Sequence, residues 1–325
     1  MRTFLITARM SPELAARVAA SVRGKPTEQR ASTRRRYVSL GRLGALGMVI
    51  AILLASWEAR QRRVQRLEET RAALLGELRS RFGALTAAQK KLPGRIVATV
   101  QRHAGPGYPG DWLEGELRDS AGLVAALNAS TVYLRASTSA LASAADVNEL
   151  AKVARDSSKD AFVACLQSPP ATRTEKALRK SVREAYAGAI PTPHVHRLFP
   201  LLSVAPLWAP EWERSVRDAS SQSRVDELTR SFRGAAIDGA LRAADAEQLL
   251  LVVDEPGDPT VPAELDGERP HHVRVVLARL NDDSVRLRRR VAVDPSWLSA
   301  TTRAEYAHAI DSCSLALEVL SAASG

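Results

Sequence analysis

The sequence predicts a single transmembrane helix, a helical stalk and then a soluble α+β domain of about five strands packed with helices. Three observations predict it. Leu43–Ala55 runs without a charge, residues 58–92 carry apolar side chains at heptad spacing, and residues 93–325 alternate short apolar runs with helix-capping signals. Hydrophobic residues make up 45% and charged residues 25%, the balance of a globular chain and not of a disordered one.

The formal net charge is +10, and where it sits decides what it implies. Residues 1–37 hold nine Lys/Arg against Glu13 and Glu28, and residues 38–92 hold ten against four Glu, which leaves −3 for residues 93–325. A nucleic-acid module concentrates positive charge on its folded part, with aromatic side chains interleaved where it binds single strands. The pattern here excludes nucleic acid as a partner.

Residues 1–36 form a basic tail in which Ser11-Pro12-Glu13 is a helix start, with Leu14, Val18 and Val22 four apart. Residues 37–57 are the expected membrane helix and signal anchor: about 21 residues at ~1.5 Å span roughly 30 Å, the bilayer core. Tyr37 and Trp57 stand at its ends, and Arg42 can snorkel outward. The lipid bilayer is thus an expected partner. Six Lys/Arg precede Val38 within twenty residues and five follow Trp57, which favours a cytoplasmic N-terminus and a domain outside the cytoplasm, in the cell envelope. Gly47, Ala51 and Ala55 share one helix face and allow a second copy to approach closely.

Residues 58–92 read as a stalk. Val64, Leu67, Leu74, Leu78 and Leu85 keep heptad spacing, with Arg71 and Arg81 at the missing positions, so a weak coiled coil and a homodimer are expected. Lys91-Leu92-Pro93-Gly94 ends it, and the domain occupies 93–325. A Gly/Pro-rich loop follows at 105–110. Thr131–Leu134, Ala161–Leu166 and Gln248–Val253 read as strands, the second apolar throughout. Helices are expected at about 145–155, after the capping box Thr172-x-x-Glu175, and over 223–244. His272–Leu280 and Ser284–Val293 form a hairpin across Asn281-Asp282-Asp283. Thr302-x-x-Glu305 opens a last helix whose Tyr306, Ile310, Cys313, Leu317 and Leu320 make one buried stripe.

Candidate chemistry is sparse. Arg286, Arg288 and Arg290 alternate along a strand, with Arg274 on the neighbouring one, and could hold an anionic polymer, a lipid head group or an acidic protein. The solvent face of a hairpin needs the same residues. Asp254, Glu255 and Asp258 cluster after an apolar strand, where α/β sheets gather sites, although a solvated turn looks identical. His194, His196, His271 and His272 lack a third ligand nearby in sequence, so no metal and no cofactor are predicted. Cys165 and Cys313 lie on apolar stripes, where free thiols pack as small hydrophobes; a disulfide between them is the lesser reading.

No Walker loop, G-x-S-x-G, G-x-G-x-x-G or H-E-x-x-H occurs, and no catalytic residue is predicted. The expectation is a non-enzymatic, membrane-anchored envelope protein acting by contacts with an unknown protein. A transmembrane signal relay, whose layout resembles that of anti-sigma-type proteins, is the first alternative. An enzyme of unrecognised type using the acidic turn is the second.

Overall fold

The computed structural model describes residues 34–157, 161–255 and 270–323, with the side chains of 34–45, Asp156, 303–309 and Ala323 left aside. The chain divides into two units, Met1–Glu68 and Glu69–Gly325. The first holds the greater part of helix α1, Arg34–Phe82. Among the described residues no helix is long and apolar enough to cross a membrane. The predicted transmembrane helix over 37–57, and with it the signal anchor, is corrected on that finding. Between Arg42 and Glu58 the charge-free run Leu43–Trp57 covers only about 22 Å of helix at ~1.5 Å per residue, against the roughly 30 Å of a bilayer core. Glu58, Arg60, Arg62 and Arg63 follow at once.

In the second unit six strands form one mixed sheet. They are β1 (Trp112–Leu113), β2 (Thr131–Ser137), β3 (Val195–Arg197), β4 (Gln248–Glu255), β5 (His271–Arg279) and β6 (Val285–Val293), in the order β1-β6-β5-β4-β2-β3. Strands β3, β2 and β4 run parallel to one another; β5, β6 and β1 complete the sheet antiparallel. β2 and β4 are buried along their whole length, as central strands covered on both faces must be.

Each sheet face carries its own core. Tyr133, Leu250, Val252, Val273, Val275 and Leu277 face α3 (Ser120–Ala126), α6 (Phe162–Gln167), α7 (Glu175–Tyr186) and α12 (Ala300–Ala323). The alternate residues Val132, Leu134, Leu249, Leu251, Val253 and Val276 face α2 (Ala87–Ala104), α4 (Thr138–Ser143), α5 (Val147–Asp156), α8 (Leu198–Val204) and α11 (Ile237–Ala244). Helices on both faces of a largely parallel centre make a three-layer arrangement.

Several sequence expectations change. Ala161–Leu166 is helix α6, not a strand; six apolar residues buried all round satisfy either geometry, and period cannot separate them. The stalk breaks at Gly83–Thr86, where Thr86 and Gln89 form a reciprocal capping box, while Pro93 and Gly94 sit inside α2. A Cβ at Gly83 would lie 2.5 Å from the carbonyl oxygen of Arg79, so this turn admits only glycine without a shift. The helix expected over 223–244 is two, α10 (Gln222–Arg233) and α11, parted after the Gly234 cap.

The heptad leucines do not await a second copy. Leu74 and Leu78 are buried in the second unit, and Leu85 packs on its core. The coiled coil predicted there is corrected accordingly. Arg71 donates to the carbonyl of Ala219, Arg79 pairs with Glu213 of α9 (Pro210–Arg217), and Glu77 with Arg233. Phe82 meets the rings of Trp208 and Phe232 edge-on at 5.6 and 6.1 Å. Phe82→Ala is expected to cost about 3–4 kcal/mol in urea unfolding, the usual cost of emptying an aromatic site. A loss below ~1 kcal/mol would place residues 69–82 outside the cooperative fold.

Candidate functional site

Arg135 is the one arginine among the residues of β2, and its side chain enters the first core. In the parallel register it stands opposite Val252, with Ser137 opposite Asp254. Asp254 lies two residues beyond Val252 and therefore on the same face. His271, two residues before the Asp254 partner Val273, is also on this face. Helix α12 closes over them and delivers Asp311 and Ser312.

The guanidinium is fully engaged. Nε donates to Asp254 Oδ2 at 2.9 Å, Nη2 to Asp254 Oδ1 at 2.6 Å and to Asp311 Oδ2 at 2.5 Å, and Nη1 to Ser312 Oγ at 2.8 Å. A two-pronged arginine–carboxylate contact is the strongest ion-pair geometry available to side chains. Arg135, Asp254, His271, Asp311 and Ser312 are each 3% exposed or less. His271 Nε2 lies 3.5 Å from Asp254 Oδ1.

The two carboxyls are driven apart in acidity. Burial pushes Asp254 up, but the charge and hydrogen bonds of Arg135 outweigh it and hold the group below the usual carboxylate value. For Asp311 burial prevails: the attraction of Arg135 is offset by the neighbouring charge of Asp254, and the group is held above its ordinary value.

One residue along, Ala316, Leu315 and Cys313 continue the buried side of α12. Cys313 forms a disulfide with Cys165 of α6. This departs from the buried free thiols that the apolar stripes favoured. Closing a loop of sequence separation 148 restricts the unfolded chain by about 5 kcal/mol in the chain-entropy picture.

The sequence-predicted residues are dispersed by the pleat. Asp254 joins the buried cluster, whereas its neighbour Glu255 points to the opposite face and pairs with Arg274 and Arg290. Asp258 lies outside the described residues. Arg274 also donates to the carbonyls of Gly105 and Gly107 and rests over the Tyr108 ring at 5.7 Å. Arg288 donates to the carbonyl of Gly110, whose φ of +98° suits glycine. A bulge between Leu277 and Ala278 breaks the expected alternation, and Arg286 turns instead to Glu114, Glu116 and Gln248. The arginine stripe thus ties the 105–116 loop to the sheet. His194 and His196 stand at β3, away from the cluster.

Sequence reasoning missed Arg135, Asp311 and Ser312. The signal present was a charge next to the apolar run Thr131–Leu134, and an acid beside Ile310 in an otherwise apolar stripe. Each alone is common, and only the fold brings them together. Comparison with protein-family models, curated proteins and solved structures returns no match.

Arg135→Met is expected to destabilise by about 3–5 kcal/mol in chemical denaturation, because it leaves two buried carboxyls without their counter-charge. A loss under ~1 kcal/mol would mean that the cluster is hydrated. A second expectation concerns acid. Hydrogen bonds from Arg286, then Arg279, hold Glu114 below its ordinary value of 4.5 against a smaller push from burial. A carboxyl with a depressed folded value stabilises fully above its ordinary value, and that stabilisation disappears as pH falls through the folded one. Glu114→Gln should therefore cost about 1 kcal/mol at pH 7 and nothing once the acid is protonated well below pH 4.5. Urea midpoints of both proteins across this range check it.

Proposed function

We propose that this chain acts through protein contacts rather than by turnover, and that its partner along α1 is a second copy of itself. The observation that carries the reading is the side-chain exposure of α1. Leu46, Met48, Val49, Ile50, Ile52, Leu53, Leu54 and Trp57 are each between 48% and 70% exposed. Eight large apolar side chains within twelve residues form a patch larger than a monomer ordinarily leaves in water.

The occupant follows from the small residues. Gly47, Ala51 and Ala55 recur at spacing four, and beyond its neighbours and its own helix backbone nothing lies within 4 Å of where a Cβ on Gly47 would stand. A second identical helix fits such a seam by close backbone approach, with Met48 and Leu54 flanking it, and a twofold axis makes this face its own complement. The buried cluster supports the same reading: its polar groups face each other and α12, with 3% exposure or less.

Sedimentation equilibrium of the full chain tests this. A concentration-dependent dimer is expected, with Ala51→Glu weakening it about tenfold or more, the effect of burying an unpaired charge. A monomer at every concentration up to roughly 100 µM, a range that detects even weak association, would overturn the proposal.

A further inference from the structure

We propose that Asp254, His271 and Asp311 bind one divalent transition-metal ion, of the zinc or manganese type, buried between β4, β5 and α12. One donor atom from each of the three residues lies within 4.8 Å of the other two. Two donors bonded to one ion at about 2.0–2.2 Å stand at most about 4.4 Å apart, so side-chain adjustments of some tenths of an ångström to about an ångström bring all three onto a single ion. The distance of 3.5 Å between His271 Nε2 and Asp254 Oδ1 is long for an N–H···O bond. It matches the roughly 3.4 Å edge between two ligands of a tetrahedral ion with bonds of ~2.1 Å.

A second observation is independent of the clustering. Asp311 Oδ1 is buried and has no hydrogen-bond partner, although Oδ2 of the same carboxylate accepts from Arg135. An orphaned buried oxygen carries a desolvation cost that a cation removes.

The donor set selects the class of ion. One imidazole nitrogen with two carboxylate oxygens suits zinc or manganese; magnesium and calcium prefer oxygen alone. Arg135, itself held by Ser312, would then be the outer group that orients the two carboxylates, as hydrogen-bonded neighbours do in metal sites generally. Being sealed, the ion would be acquired as the chain folds and would fasten α12 to the sheet.

The experiment unfolds the full-length protein in guanidinium chloride with EDTA, refolds it into buffer holding zinc chloride alone and counts retained metal after desalting. One equivalent is expected in the wild type and in the double variant His194→Ala, His196→Ala. Asp311→Asn and His271→Gln should each lower affinity about tenfold or more, the usual scale for a perturbed site. Zinc should raise the melting temperature of the wild type and of neither site variant. Circular dichroism screens both variants for folding. Should either fail to fold, cobalt(II) bound to the wild type decides: visible d–d bands displaced by zinc are expected. Absence of those bands, absence of retained zinc in the wild type, or equal binding in both site variants would overturn the proposal.

Discussion

A guanidinium buried beside two carboxyls is the constraint on which the sheet and its covering helix depend. Removing ions from water costs several kcal/mol each, and only close, well-aligned partners repay it. Arg135 obtains them from two directions, Asp254 from the adjacent parallel strand and Asp311 from α12. The pairing of Arg135 with Val252 is therefore more than one register among equals. A slip of one residue would send Asp254 through the sheet to the other core and leave the arginine facing hydrocarbon. The ionic contact makes every wrong register expensive.

The same pleat explains how one short acidic segment serves two layers. Asp254 and Glu255 are adjacent in sequence and point to opposite faces. On one side Asp254 takes Arg135; on the other Glu255 takes Arg274 and Arg290, and Arg274 in turn holds the carbonyls of Gly105 and Gly107. Arginine supplies planar, multiply donating contacts that lysine cannot. Its abundance here is spent on fastening loops to the sheet, consistent with a folded part that carries no basic excess.

How much of this was legible depended on whether the signal was local. β4, the β5–β6 hairpin and the Ile310–Cys313–Leu320 side of α12 were readable because alternation and helical spacing live within a few residues. The two short edge strands β1 and β3 carry too little pattern to read, and each exists only through its neighbour. Ala161–Leu166 misled because a fully buried segment has no polar face to betray its period. Pro93 misled for a different reason: the missing amide hydrogen bond is tolerated where Leu92, Ile96 and Val97 bury the helix against the second core. The membrane helix was read from a real apolar run whose charge-free length falls short. Arg135 and Asp311, 176 residues apart, announce nothing until the fold joins them.

Helix α12 is where the joining is made. From Ile310 to Ala316 seven consecutive residues are buried, so more than one face of the helix is covered. Only a helix at the centre of a layer is enclosed in this way, and its neighbours α6, α7 and the sheet each take a side. Three successive residues then do different work: Asp311 and Ser312 meet Arg135, and Cys313 bonds to Cys165. The helix that covers Arg135 and Asp254 is thus the one that supplies Asp311 and Ser312, so the burial of the charges and their compensation rest on the same element.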